Sequence, residues 1–135
     1  MAAFSKFSDF VVQLGKGNHD LDVDTLKVFL TNQAPTSGDA LKSDITEIAG
    51  GSGYTAGGED VSNAYSGAGG VGSCVGTDVV WTASGGSIGP FRYAVLYNSS
   101  VGDLLIGYWD YGSTLTLANG ETFTLDFGSS IFTIT

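Results

Sequence analysis

The chain has 135 residues, 42% of them hydrophobic, 21 glycines and a net charge of −9. This length fits a single domain, residues 1–135, that buries a core without disulfides or metals. The acidic balance argues against nucleic acid and anionic membranes as partners, because both require a basic surface.

The cysteine count and the hydropathy pattern exclude further classes of protein. Cys74 is the single cysteine, so an intrachain disulfide and a cysteine-based zinc site are excluded, and a small buried side chain is expected. The sequence shows neither a signal-peptide pattern nor an apolar run of the ~18 residues that a membrane span requires. We therefore expect synthesis and maturation in a cytoplasm.

The first segment has the spacing of an amphipathic helix. Ala3–Leu14 is predicted to be helical and to end at Gly15 and Gly17. Residues 1–17 form either a helix that packs on the domain's own sheet or an arm that reaches a neighbouring subunit. The apolar face consists of Phe4, Phe7, Phe10, Val11 and Leu14.

The next segments alternate loops with short elements. A polar loop at Gly17–Asp24 precedes a predicted strand, Thr25–Leu30, and a loop at Thr31–Ala40 follows it. Asp44–Ala49 is predicted to form a short helical turn capped by Ser43 or Asp44.

A glycine-rich region covers residues 50–76. Tyr54 and Tyr65 interrupt its glycines, and we predict long irregular loops with one or two edge strands. Long loops of this kind inside a compact domain are often functional, which fits a segment that becomes ordered on a partner.

The C-terminal half predicts a succession of antiparallel strands. Asn119-Gly120 lies between two alternating runs and predicts a hairpin with a type I′ turn. Six strands with short turns predict a meander that closes into an antiparallel β-sandwich or flattened barrel, with a short N-terminal α-helix. The strands are Asp78–Ala83, Phe91–Asn98, Leu104–Tyr111, Ser113–Leu117, Glu121–Phe127 and Ile131–Thr135.

The hairpin formed by Phe91–Asn98 and Leu104–Tyr111 is the centre of this arrangement. Both its faces are mostly apolar, which predicts that it is covered on both sides. A register in which paired residue numbers sum to 202 places Arg92 opposite Asp110. Asp110 is a candidate catalytic acid, but a structural ion pair with Arg92 explains both charges.

Other candidate chemical groups do not form a recognisable motif. Asp20, Asp22 and Asp24 have the spacing that begins a calcium loop, but Thr25 and Thr31 stand where an EF-hand needs Gly and Glu. His19 is the sole histidine and is predicted to be an exposed loop residue. The aromatic residues are expected to pack in the core, with a carbohydrate-binding surface as the alternative.

Four stretches together resemble small virion proteins of tailed bacteriophages. They are TLKVFLTNQAP (25–35), DITEIAGGSGYTAGG (44–58), VVWTASGGSIGPFRYAVLYN (79–98) and LLIGYWDYGSTLTLANGETFTLDF (104–127). The resemblance implies a non-enzymatic virion component assembled in the host cytoplasm, without cofactor, metal or catalytic residues. A capsid decoration (cement) protein is the first expectation, and a tail- or fibre-associated protein is the second.

The resemblance also implies partners. The major capsid protein or neighbouring tail proteins would bind the chain, and a homo-oligomer, favoured as a trimer, is expected. The N-terminal segment and the glycine-rich region supply the candidate contact residues, which are Phe4, Phe7, Tyr54 and Tyr65.

Overall fold

The computed structural model describes residues 2–135, which contain ten strands, one α-helix and one 3₁₀ helix, Lys42–Asp44. The helix α1 is Ser8–Gly15. The strands are β1 Phe4–Lys6, β2 Leu26–Thr31, β3 Glu59–Asp60, β4 Ala64–Ala68, β5 Val71–Val75, β6 Val79–Thr82, β7 Ile88–Asn98, β8 Leu104–Leu117, β9 Thr122–Leu125 and β10 Phe132–Ile134.

The strands form three antiparallel sheets. The largest has five strands in the order β1-β8-β7-β2-β3, the second has the order β10-β5-β4, and β6 pairs with β9. The predicted fold class is confirmed: the protein is mainly β, antiparallel and sandwich-like, with one short helix near the N-terminus.

The core lies on both sides of the five-stranded sheet, as the apolar hairpin predicted. Strand β2 illustrates this, because Val28 and Leu30 pack into the larger cluster whereas Phe29 packs into the smaller one. Successive side chains of a strand point to opposite faces, so an all-apolar strand needs cover on both. The smaller cluster consists of Phe7, Phe29, Ile45, Val95, Tyr97 and Leu105.

The predicted hairpin register is correct only beside the turn. Tyr97 pairs with Leu105 as expected, but Leu96 pairs with Gly107, and farther along Phe91 pairs with Leu115. Bulges cause these shifts, because each extra residue in one strand displaces the pairing of all residues beyond it.

The predicted helix Ala3–Leu14 is wrong in its first half. Phe4–Lys6 is strand β1, which pairs with β8, and the helix begins only at Ser8. The edge of β8 offers unpaired main-chain groups, and pairing with them outweighs the helical spacing of the phenylalanines. The segment therefore packs on its own sheet in this structure.

Three further predictions are corrected. The helical turn predicted at Asp44–Ala49 lies earlier, as the 3₁₀ helix Lys42–Asp44, where the Asp44 carboxylate accepts hydrogen bonds from the amides of Ala40 and Leu41, both at 3.0 Å. The region 50–76 is more regular than expected, since it contains β3 and the β4–β5 hairpin.

The predicted hairpin at Asn119-Gly120 is the third prediction that the structure corrects. Strand β9 pairs with β6 rather than with β8, so the meander is also wrong at this point. Gly120 has a φ of +90°, whereas Asn119 does not have a positive φ. A type I′ turn requires positive φ at both positions, so this turn redirects the chain instead of closing a hairpin.

Candidate functional site

Two of the four candidate contact residues are buried. Phe7 is 0% exposed and Tyr54 is 3% exposed, so neither side chain lies at the surface of this structure, where a partner could contact it. Phe7 lies in the smaller core cluster against Tyr108. Both rings stabilise the domain's own packing.

Tyr54 is held by a polar network under the glycine-rich region. Its hydroxyl donates to the Glu47 carboxylate at 2.6 Å and accepts from the Leu30 amide at 3.0 Å. Lys42 binds the same carboxylate at 2.7 Å, and the Gly57 amide donates to it, also at 2.7 Å. Burial, and then the hydrogen bond to Glu47, raise the pKa of Tyr54 well above its usual range. These hydrogen bonds hold residues 47–57 against β2.

The other two candidates, Phe4 and Tyr65, are partly exposed. Phe4 stacks on Phe132 with ring centroids 5.2 Å apart, at the meeting of β1 and β10. The Tyr65 amide donates to Asp22 at 3.0 Å, which ties β4 to the acidic loop. Their contact with a partner stays a prediction.

Arg92 and Asp110 form an ion pair on the surface. The guanidinium donates to both carboxylate oxygens, at 2.8 and 3.1 Å, and the two side chains are 38% and 41% exposed. Hydrogen bonds from Arg92 and then from the Gly112 amide hold the pKa of Asp110 below its usual range. Asp110 is thus ionised and already hydrogen-bonded, which suits a structural role better than that of a proton donor.

His19 is buried, so the prediction of an exposed loop histidine is wrong. The residue is 7% exposed, and its ring packs against Phe10. Asn98 accepts from the Ser100 amide through its carbonyl oxygen, and its amide nitrogen lies 3.1 Å from His19 Nδ1 and 2.7 Å from Asp24. Nδ1 therefore accepts a hydrogen bond, which assigns the proton to Nε2. Burial lowers the pKa of His19.

The acidic loop stabilises its own conformation. Asp20 accepts from the Asp22 and Val23 amides, both at 3.2 Å, and Asp24 accepts from the Asp20 amide at 2.9 Å. Among residues 2–135, no group of three or more histidine, cysteine or carboxylate side chains is arranged to hold a metal ion.

The tryptophans and the cysteine lie in the core. Trp81 and Trp109 are each 1% exposed, so neither is placed for stacking on a sugar. Cys74 is buried as predicted, and burial raises the pKa of its thiol to about 12. It is therefore a protonated, unreactive side chain at neutral pH.

An apolar groove lies where β1, α1 and β10 meet, a feature that the sequence did not predict. Its volume is about 490 Å³, within the about 300–1,000 Å³ typical of ligand clefts. Apolar spacing within the first segment was visible, but the position of β10 opposite that segment depends on topology. Its lining includes Phe4, Lys6, Phe10, Val11, Leu14 and Ile134.

Comparison of the chain with protein-family models, curated proteins and solved structures found no match. No helix within residues 2–135 is long and apolar enough to cross a membrane.

Proposed function

We propose that the chain is a non-enzymatic structural component of a tailed-bacteriophage particle, a decoration (cement) protein that binds the assembled head shell. One observation carries the proposal: the four stretches that resemble phage virion proteins lie together in the fold. Strand β2 from the first stretch pairs with β7 from the third, and β7 pairs with β8 from the fourth. Tyr54 from the second accepts a hydrogen bond from Leu30 of the first. The four stretches that carry the resemblance therefore contact one another in the fold.

The use of the polar side chains supports a structural role. Glu47 binds Lys42 and Tyr54, and Asp110 binds Arg92. His19 is enclosed and bonded to Asn98. These four groups, Glu47, Asp110, Tyr54 and His19, thus already take part in contacts that hold the fold.

The charge distribution supports an oligomer built through the β4–β5 hairpin. Residues 61–77 contain no charged side chain, although the chain carries −9 overall, and strand β4 is mostly exposed. Two copies would repel each other least at this surface. Tyr65 lies on it, in agreement with its predicted contact role, and a trimer bound to the major capsid protein remains the expected assembly.

Binding to separated particle parts tests this function. Purified chain is mixed with head shells or with tails from a phage lacking its gene, and the bound fraction is measured by sedimentation. We expect saturable binding to heads at a fixed number of copies per shell. Binding to tails alone would replace decoration with the tail-associated role, and binding to neither would contradict both.

A further inference from the structure

The groove between β1 and β10 has an open strand edge on one wall. Strand β1 is the outer strand of the five-stranded sheet and pairs only with β8. The Phe7 amide donates to the Ile106 carbonyl at 3.0 Å. Hydrogen-bonded pairs recur at every second residue of an antiparallel ladder, so Ser5 bonds to β8 while the main-chain groups of Phe4 and Lys6 point away from it.

The opposite wall of the groove, formed by β10, also has a free strand edge. Strand β10 is the outer strand of its sheet and pairs only with β5. The main chain of Cys74 faces β10, because its carbonyl accepts from the Ile131 amide at 2.7 Å. Pairing with β5 therefore uses the even-numbered residues of β10, and Thr133 directs its main-chain groups to the free side.

The side chains that line the groove define what it can bind. Phe10, Val11 and Leu14 of α1 and Ile134 of β10 supply the apolar part of the walls, and the threonines at 133 and 135 add polar groups. Lys6 adds a positive charge at the edge of β1. The ion pairs among residues 2–135 are Lys42–Glu47 and Arg92–Asp110, so Lys6 has no carboxylate partner there.

We propose that this groove binds an extended peptide segment of a partner protein, which adds as a strand to the free edge of β1. Main-chain hydrogen bonds supply affinity in this mode of recognition, and alternate side chains supply specificity. Phe4 and Lys6 lie on one face of β1, so the peptide carries an apolar and an acidic side chain two residues apart. Lys6 has no carboxylate partner among residues 2–135, so it favours a peptide with an acidic side chain over one with a basic side chain at this position.

A designed peptide tests the proposal without any phage particle. Blocked Val-Thr-Val-Thr-Glu is titrated into the ¹⁵N-labelled full chain, and the amide shifts of Phe4 and Lys6 are followed. We expect saturable shifts at both amides. Replacing the glutamate of the peptide by lysine should weaken binding, since it places a cation against Lys6. Methylation of alternate main-chain nitrogens of the peptide should abolish binding, because it removes the hydrogen-bond donors that pair with β1.

Val11 and Val12 provide a matched pair of protein variants. They are adjacent on α1 and 52% and 49% exposed, but only Val11 lines the groove. Val11→Glu should weaken peptide binding by at least about tenfold, because it places a carboxylate in an apolar wall that faces an acidic peptide. Val12→Glu should leave the affinity within about twofold, as expected for an exposed surface charge.

Three results would overturn the proposal: no saturable shift at millimolar peptide, equal binding of the N-methylated peptide, or equal effects of the two valine variants. If Val11→Glu fails to fold, the comparison of the N-methylated and unmethylated peptides on the unaltered protein still tests whether the peptide adds as a strand. Peptide binding tests the groove and sedimentation with heads tests the function, so failure of one is distinguishable from failure of the other.

Discussion

Gly58 lies so close to β2 that a side chain would not fit. A Cβ atom at this position would overlap the carbonyl oxygen of Val28, and the backbone has a φ of +81°, which L side chains rarely adopt. Gly58 immediately precedes β3, which pairs with β2 at the edge of the largest sheet. The glycine therefore permits both the turn and the close approach.

We predict that Gly58→Ala destabilises the protein far more than Gly69→Ala. Gly69 has a φ of +61° with open space around its Cβ position, so its substitution costs only the left-handed backbone, about 1–2 kcal/mol. Gly58→Ala adds a steric clash, and its cost should exceed that of the control by at least about 2 kcal/mol. Urea unfolding of both variants measures this difference, and equal free energies of unfolding would contradict it.

The site residues differed in how far the sequence could predict them. Arg92 and Asp110 contact each other although Asp110 pairs with Tyr93, because Arg92 lies where the register shifts and its long side chain spans a displacement of one residue. Phe7 and Tyr54 were assigned to a partner because their segments looked peripheral. Nothing in the local pattern revealed that Leu30 and Glu47 would satisfy the Tyr54 hydroxyl, since those contacts depend on tertiary structure.

A buried polar contact joins the loop after α1 to the end of β7. His19 Nδ1 accepts from Asn98, which also donates to Asp24. Protonation of the ring would replace this acceptor with a donor and separate it from the Asn98 amide. Asp24 and Asp9 both favour the charged ring, but desolvation by burial has the larger effect and lowers the pKa of His19.

This contact predicts a pH dependence of stability. The native pKa of His19 lies below the value of about 6.5 expected in the unfolded chain, so the unfolded state takes up a proton first as the pH falls. The His19 contribution should be complete above about pH 6.5 and should be lost as the pH falls through the native pKa. The lowered pKa values of Asp44 and Asp110 affect stability only below about pH 4.

Nuclear magnetic resonance of the single imidazole checks this prediction. We expect the proton on Nε2 at neutral pH and a titration midpoint below 6.5, together with a decrease in the free energy of unfolding over the same range. A midpoint at or above 6.5, or a proton on Nδ1, would contradict it.

Elements were predictable where the local pattern agreed with the tertiary environment. Strand β2 and the two long hairpin strands satisfy this condition, because their apolar and aromatic runs are buried on both faces. The segment Phe4–Lys6 does not, since its helical spacing competes with pairing to β8. The β4–β5 hairpin lies in the region where one or two edge strands were predicted, but their bounds could not be given, because small and glycine residues carry little strand signal.

The topology of the whole molecule was the least predictable level. Sequence proximity favours pairing of β8 with β9, yet β9 pairs with β6 and a separate small sheet forms. Such non-local pairings depend on how the sheets pack together, which turn residues alone do not specify. The fold class followed from the succession of short predicted strands and turns, whereas the groove between β1 and β10 required the actual strand order.

The most direct measurement of the central claim is a cryo-electron microscopy difference map. Heads are imaged from a phage that encodes this chain and from the same phage with the gene deleted, and the deletion is complemented as a control. We expect regularly spaced density of the size of this domain on the outer face of the head shell, lost on deletion and restored by complementation. Heads without such a difference would contradict the claim that this protein decorates the shell.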